Sequence, residues 1–214
     1  MLVLHYTGMP TAAAALARLT DAKARVSAHY LIDDDGTVWR LVAERARAWH
    51  AGESFWRGAT DVNSRSIGIE LANPGHEFGY RPFPERQYVA LIELASDLLA
   101  RHPIPPRNVV GHADVAPRRK ADPGELFDWQ RLAASGIGLW PEAPEAASAA
   151  PAIDLATPTA MMAALATFGY EVEDPRATLI AFQRHFRPEC TDGRPDAETA
   201  ARLAALLRTI GEAG

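Results

Sequence analysis

The sequence predicts an α/β fold, a sheet with helices on its faces, followed by a small helical module. Three observations carry this expectation. Short β-rich runs alternate with helix-period segments over residues 1–140, as in a sheet covered by helices. At residues 141–151, "PEAPEAASAAP" holds no large apolar side chain to bury and reads as a linker. Beyond it, residues 152–214 carry three short helix patterns with Pro or Asp near their starts and Gly at two of their ends.

Each element has a local reason. "LVLHY" at residues 2–6 is a short strand, and "TAAAALARLT" is a helix with Thr11 as its N-cap. "VSAHYLID" runs into the turn signal "DDDG" and resumes as "TVWRLV", which predicts a hairpin. In "RSIGIEL", Ile67, Ile69 and Leu71 share one face, and Gly68 and Glu70 share the other. "PERQYVALIELASDLLARH" places Tyr88, Leu91, Ile92, Ala95, Leu98 and Leu99 at helical spacing, with Pro84 opening the helix and Pro103 closing it. "NVVGH" is a further strand. The tail helices are "TPTAMMAALATFGY", "DPRATLIAFQRHF" and "DAETAARLAALLRTIG", and their Met and Phe residues read as core.

Composition narrows the function. A net charge of −5 argues against nucleic acid as the partner, because phosphate binding needs a basic face. No apolar run approaches the ~20 residues of a transmembrane helix. Cys190 is the only cysteine, which excludes an internal disulfide and any multi-cysteine zinc site. A metal here needs His and carboxylate ligands.

The histidines then separate. His76 beside glycines, His102 at a helix end and His185 in the tail read as surface or capping residues. His5 lies within an apolar strand on the same face as Val3, and His112 ends another apolar run. Taken singly, each reads as a hydrogen-bonded core histidine. The loop "VVGHADVAPRRKADPG" that follows reads, by composition, as a solvated surface. With Asp122, however, His5 and His112 make a two-imidazole, one-carboxylate set of the kind that holds catalytic zinc and leaves a fourth position open. No HExxH helix is present. Glu70, a carboxylate on the non-core face of its strand, is then placed to accept a proton from the attacking water. Lys120 is placed to stabilise the oxyanion that forms on the attacked carbonyl.

At this point the chain resembles a known family. "VLHYTG", "AHYLIDDDGTV", "AWHAGESFWRG", "SIGIELAN" and "VVGHADVAPRRKADPG" stand in the order and spacing of the zinc-dependent N-acetylmuramoyl-L-alanine amidases of the amidase-2 family, in the AmpD/AmiD branch. Phage T7 lysozyme and the peptidoglycan recognition proteins look like more distant relatives. The resemblance covers residues 2–140. It implies a mixed central sheet flanked by helices, and a bound Zn2+ held by His5, His112 and Asp122. Glu70 is then the acid/base residue and Lys120 the oxyanion stabiliser. The implied bond is the amide between N-acetylmuramic acid, or its 1,6-anhydro form, and L-alanine in peptidoglycan or muropeptides.

His50 and Trp49 are expected to line the substrate groove, with Trp56, Asn63 and Asn73 nearby; for Trp49 the competing reading is simple core packing. His29 is expected to orient the site or fill the core, and Arg118 and Arg119 either attract stem-peptide carboxylates or form a solvated charge run. The tail, through "AFQRHF", "DG" and "AET", is similar to a three-helix peptidoglycan-binding module. The rival reading from another class is a module that binds peptidoglycan without cutting it, and the loss of a ligand or of Glu70 that would mark it is not found. Family members usually carry a segment ahead of the first ligand strand. As written, with no leader, the sequence reads as cytoplasmic, and a truncated start would allow the periplasm. The chain is expected to act as a monomer.

Overall fold

The computed structural model describes residues 1–141, 155 and 157–212. Apart from Pro141, the linker expected at 141–151 lies outside the described residues. Five strands form one mixed sheet in the order β3-β2-β4-β1-β5. They are β1 (Leu2–Tyr6), β2 (Tyr30–Ile32), β3 (Val38–Arg40), β4 (Ile67–Leu71) and β5 (Val109–Gly111). β1, β2, β4 and β5 run parallel, and β3 closes one edge as the antiparallel half of the expected hairpin.

The helices follow their caps. Thr11 accepts a hydrogen bond from Ala14 N–H and starts α1 (Ala12–Thr20). After the short α2 (Gly75–Phe78), Pro84 in extended conformation starts α3 (Glu85–Arg101), which stops two residues before Pro103. α4 (His112–Val115) follows β5 directly, and α5 (Trp129–Ala134) is capped by Asp128. In the tail, Thr157 caps α6 (Pro158–Phe168) and Asp174 caps α7 (Pro175–Phe186), each with Pro in the first turn. α8 (Ala197–Glu212) completes the tail.

Two strand boundaries differ from the sequence expectation. The strand expected from Val26 begins only at Tyr30, because the His29 ring accepts the Gly68 N–H that a longer ladder would use. The run "NVVGH" stops at Gly111, and His112 opens a helix instead of ending a strand.

The period of two sorts the sheet into two faces. Leu2, Leu4, Ile67, Ile69, Leu71 and Val109 pack against Tyr88, Leu91, Ala95 and Leu98 of α3. On the other face Val3 and Val110 join Trp56, Val62 and Val115, and this cluster continues into Leu165, Phe168, Phe182 and Leu203 of the tail. Trp56, expected near the substrate groove, is instead buried edge-on to Phe168 and Tyr170. His185, expected at the surface or as a cap, is buried between Trp129 and Phe186, stacked 3.7 Å and 3.8 Å from their ring centroids. One apolar cluster therefore spans the amidase-like part and the tail.

Two consequences can be measured. Trp56→Ala should cost about 3–5 kcal/mol, the usual range for truncating a buried aromatic. Denaturant unfolding followed by tail and sheet probes should give one transition, and two separate ones would contradict the shared cluster.

Candidate metal centre

His5 and Glu70 lie side by side at the carboxyl ends of β1 and β4, paired in the parallel register. His112 follows the end of β5, on the other side of β1. The centre thus occupies the carboxyl edge of the parallel strands, where open α/β sheets place their ligands. Asp122 comes from the loop after α4, tied back to it by a hydrogen bond from Ala113 N–H to the Asp122 carbonyl.

Three side-chain atoms converge there: Nδ1 of His5, Nδ1 of His112 and Oδ2 of Asp122. The two nitrogens are 2.9 Å apart, and the oxygen lies 3.1 Å from His5 and 3.0 Å from His112. All three residues are buried.

The surrounding hydrogen bonds settle where the protons are. His112 Nε2 must donate to the Ala51 carbonyl, 3.0 Å away, so a ring carrying one proton has its Nδ1 bare. Ser66 donates its hydroxyl hydrogen to the Val62 carbonyl at 2.6 Å, so it accepts from His50 Nε2. His50 Nδ1 is then an acceptor, and His5 Nε2 donates to it at 3.0 Å. His5 Nδ1 is bare in turn. Three acceptors meet with no proton between them, and a cation is what such a triangle lacks.

The charge states agree. Burial, then the neighbouring His112 ring, push His5 down to about 4. Burial, then the other ring histidines, hold His50 well below its ordinary value, so both rings are neutral. The triangle also fits a metal in size. Tetrahedral zinc with bonds of about 2.0–2.2 Å spaces its ligand atoms roughly 3.3–3.6 Å apart, so the three groups need only a small expansion.

A cleft of about 530 Å³ opens over this centre, lined by His112, Asp122, Glu70, Lys120, Trp49 and Phe78. Glu70 is half-buried, and its Oε2 has no hydrogen-bond partner among the described residues. Burial, then the Asp122 charge, raise its carboxyl well above the ordinary value, against the pull of Lys120. Lys120 makes no ion pair among the described residues and reaches the same cleft.

The other expected groove residues divide. Trp49 is 48 % exposed on the cleft wall, which excludes the core-packing reading. Phe78, which the sequence reading missed, is 50 % exposed on the same wall, and only its place after "NPGHE" could have marked it. His50 reaches the cleft but is buried and engaged with His5. Asn63 lies beneath it: Oδ1 accepts from the backbone N–H groups of His50 and Ala51, fixing the carbonyl that holds His112. Asn73 accepts from Gly75 N–H and donates to the Arg81 carbonyl, so it shapes the rim loop. His29 packs edge-on to His50 and donates through Nε2 to the Ala46 carbonyl. Arg118 pairs with Glu171 and Glu173 of the tail, and Arg119 donates to the Ala51 and Glu53 carbonyls.

Residues 1–125 match the Amidase_2 family, N-acetylmuramoyl-L-alanine amidase. The chain belongs to this family, whose enzymes hydrolyse the amide that joins the muramoyl group to L-alanine. The chain is 44% identical to the N-acetylmuramoyl-L-alanine amidase AmiD of Escherichia coli, over 99% of its own length and 83% of that protein. It is 42% identical to the 1,6-anhydro-N-acetylmuramyl-L-alanine amidase AmpD of Haemophilus influenzae, over 52% of this chain and 59% of the other. Among solved structures, the E. coli AmiD complex with anhydro-N-acetylmuramic acid-L-Ala-D-gamma-Glu-L-Lys superposes with a TM-score of 0.87, at 43% identity over 99% of this chain and 89% of that one. AmpDh3 of Pseudomonas aeruginosa in complex with an anhydromuramic pentapeptide gives 0.87, at 36% identity over 98% and 91%. No described helix is long and apolar enough to cross a membrane.

Gly68 lies under the His50 ring, where an added Cβ would come within 2.5 Å of its Cγ. Gly68→Ala should therefore displace His50 and loosen His5. Displacing such a ligand partner typically costs roughly 10- to 100-fold in metal affinity or activity. Unchanged metal retention and turnover in Gly68→Ala would show that His50 does not position His5.

Proposed function

We propose that this chain is a zinc enzyme that hydrolyses the amide between N-acetylmuramic acid, or its 1,6-anhydro form, and L-alanine in peptidoglycan fragments. The single observation that carries the metal assignment is the triangle of three bare acceptors. Two neutral imidazoles and one carboxylate suit zinc, with a position left for the reacting groups. The anhydromuramyl peptides named in the E. coli and P. aeruginosa complexes supply the substrate class.

When bound, zinc polarises the amide carbonyl and makes water a competent nucleophile near neutral pH. The chain's own residues do the rest. Glu70 takes the attacking water's proton on its unpartnered carboxylate and returns it to the departing alanine nitrogen. The Lys120 ammonium stands where negative charge develops on the former carbonyl oxygen. Trp49 and Phe78 present apolar faces to the bound fragment at the cleft wall. His50 in the cleft lining, and Asn63 and Asn73 behind it, hold His5, the Ala51 carbonyl and the rim loop in place.

The direct test is mass analysis of products from an anhydromuramyl tripeptide. The expected products are the free sugar acid and a peptide beginning with L-alanine. Cleavage within the peptide would contradict the assignment.

Two variants check the roles. Glu70→Gln should keep its metal and fold yet lose roughly 10² to 10⁴-fold in turnover, the usual contribution of a general base. Full activity in that variant would assign the base elsewhere. Lys120→Ala should lower kcat by on the order of 10²-fold with a smaller change in KM, as for loss of an oxyanion donor. A raised KM at constant kcat would make Lys120 a contact of the bound substrate instead.

A further inference from the structure

The tail reaches the metal centre through one buried carboxylate. Asp114 lies two residues after His112 in α4 and is 2 % exposed. Its Oδ2 accepts the Gly111 N–H at 2.7 Å, at the junction where β5 ends and the His112 helix starts. The same oxygen accepts from His185 Nδ1 of α7 at 2.7 Å. Its Oδ1 accepts from the hydroxyl of Tyr170, just after α6, at 2.6 Å. Two of the three donors that satisfy Asp114 therefore come from residues 157–212.

Those donors are themselves fixed. Tyr170 is 2 % exposed and His185 is 3 % exposed, and the His185 ring is clamped flat between Trp129 and Phe186. His185 Nε2 is buried with no partner among the described residues, so the ring has one polar task, the bond to Asp114. The junction has little slack, since a Cβ on Gly111 would come within 2.7 Å of Pro123. Pro123 follows the ligand Asp122 directly.

We infer that the tail is a structural part of the metal centre: Tyr170 and His185 are positioning residues that hold Asp114, and through it the turn presenting His112. This rests on the proposal that His112 binds zinc. A buried carboxylate stripped of one donor shifts to recover a partner, and the backbone it still holds is the Gly111 N–H at the head of the His112 helix. A tail serving only to hold peptidoglycan would need no such bond.

The test is the rate at which full-length, zinc-loaded protein releases zinc to a chelator at a temperature where thermal unfolding shows every variant folded. Wild type carrying one tightly held zinc upholds the metal assignment itself, independently of the variants. Tyr170→Phe removes only a hydroxyl, and His185→Phe keeps a flat ring without its donor. Each should release zinc on the order of ten times faster, the lower end of what outer-shell partners contribute to metal affinity. His185→Asn, which can keep an N–H toward Asp114, should restore slow release. Glu171→Gln removes one of the two ion pairs that Arg118 makes with the tail without touching Asp114, and should leave release unchanged. Wild-type release from both Tyr170→Phe and His185→Phe overturns the inference, as does equal acceleration by Glu171→Gln. If His185→Phe does not fold, Tyr170→Phe alone decides.

Discussion

The constraint on which the rest of the structure depends is the meeting of three lone pairs at the carboxyl edge of the sheet. Without a cation, Nδ1 of His5, Nδ1 of His112 and Oδ2 of Asp122 repel one another at about 3 Å. Buried polar atoms normally find a donor, and here the ring N–H groups of His5 and His112 are spent in the opposite direction. The Ala51 carbonyl takes the proton side of His112, and the relay through His50 and Ser66 to the Val62 carbonyl takes that of His5. The tautomers are set from behind, by backbone carbonyls that cannot donate.

Those carbonyls explain why so much of the fold is arranged around a small centre. Asn63 fixes the 50–51 segment, Gly68 leaves room for the His50 ring, and the tail anchors Asp114 beneath the His112 helix. The cleft side is left lightly bonded by contrast. Glu70 keeps one unpartnered oxygen, and no ion pair holds Lys120 among the described residues. On the proposed reading, a site built this way holds its ligands rigidly and leaves Glu70 and Lys120 free to act on a substrate. That division is what amide hydrolysis asks of a protein.

Much of this was legible in the sequence, and the boundary is physical. Period-two and period-3.6 patterns revealed β1, β4, α3 and the tail helices, since each buries one regular face, and Thr11, Thr157 and Asp174 cap where their chemistry predicts. That His5 shares a face with Val3, and Glu70 a face with Gly68, could be found by counting alternate residues. Their adjacency could not, because it comes from the parallel register of β1 with β4. His185 and Trp56 were misplaced for the same reason. Each sits in a segment of mixed polarity, and only the packing of the tail on the second sheet face buries it. Asn63 and His50 face the ligands from behind, a distinction in direction that no residue type carries.

The measurement that bears most directly on the central claim is the metal content of protein purified without added metal, taken on the sample whose muropeptide cleavage is assayed. The account predicts one zinc per chain, cleavage that stops when the metal is stripped and returns when zinc is restored, and neither metal nor cleavage in an Asp122→Ala chain. Active protein with no bound metal, or an Asp122→Ala chain that keeps both, would contradict it.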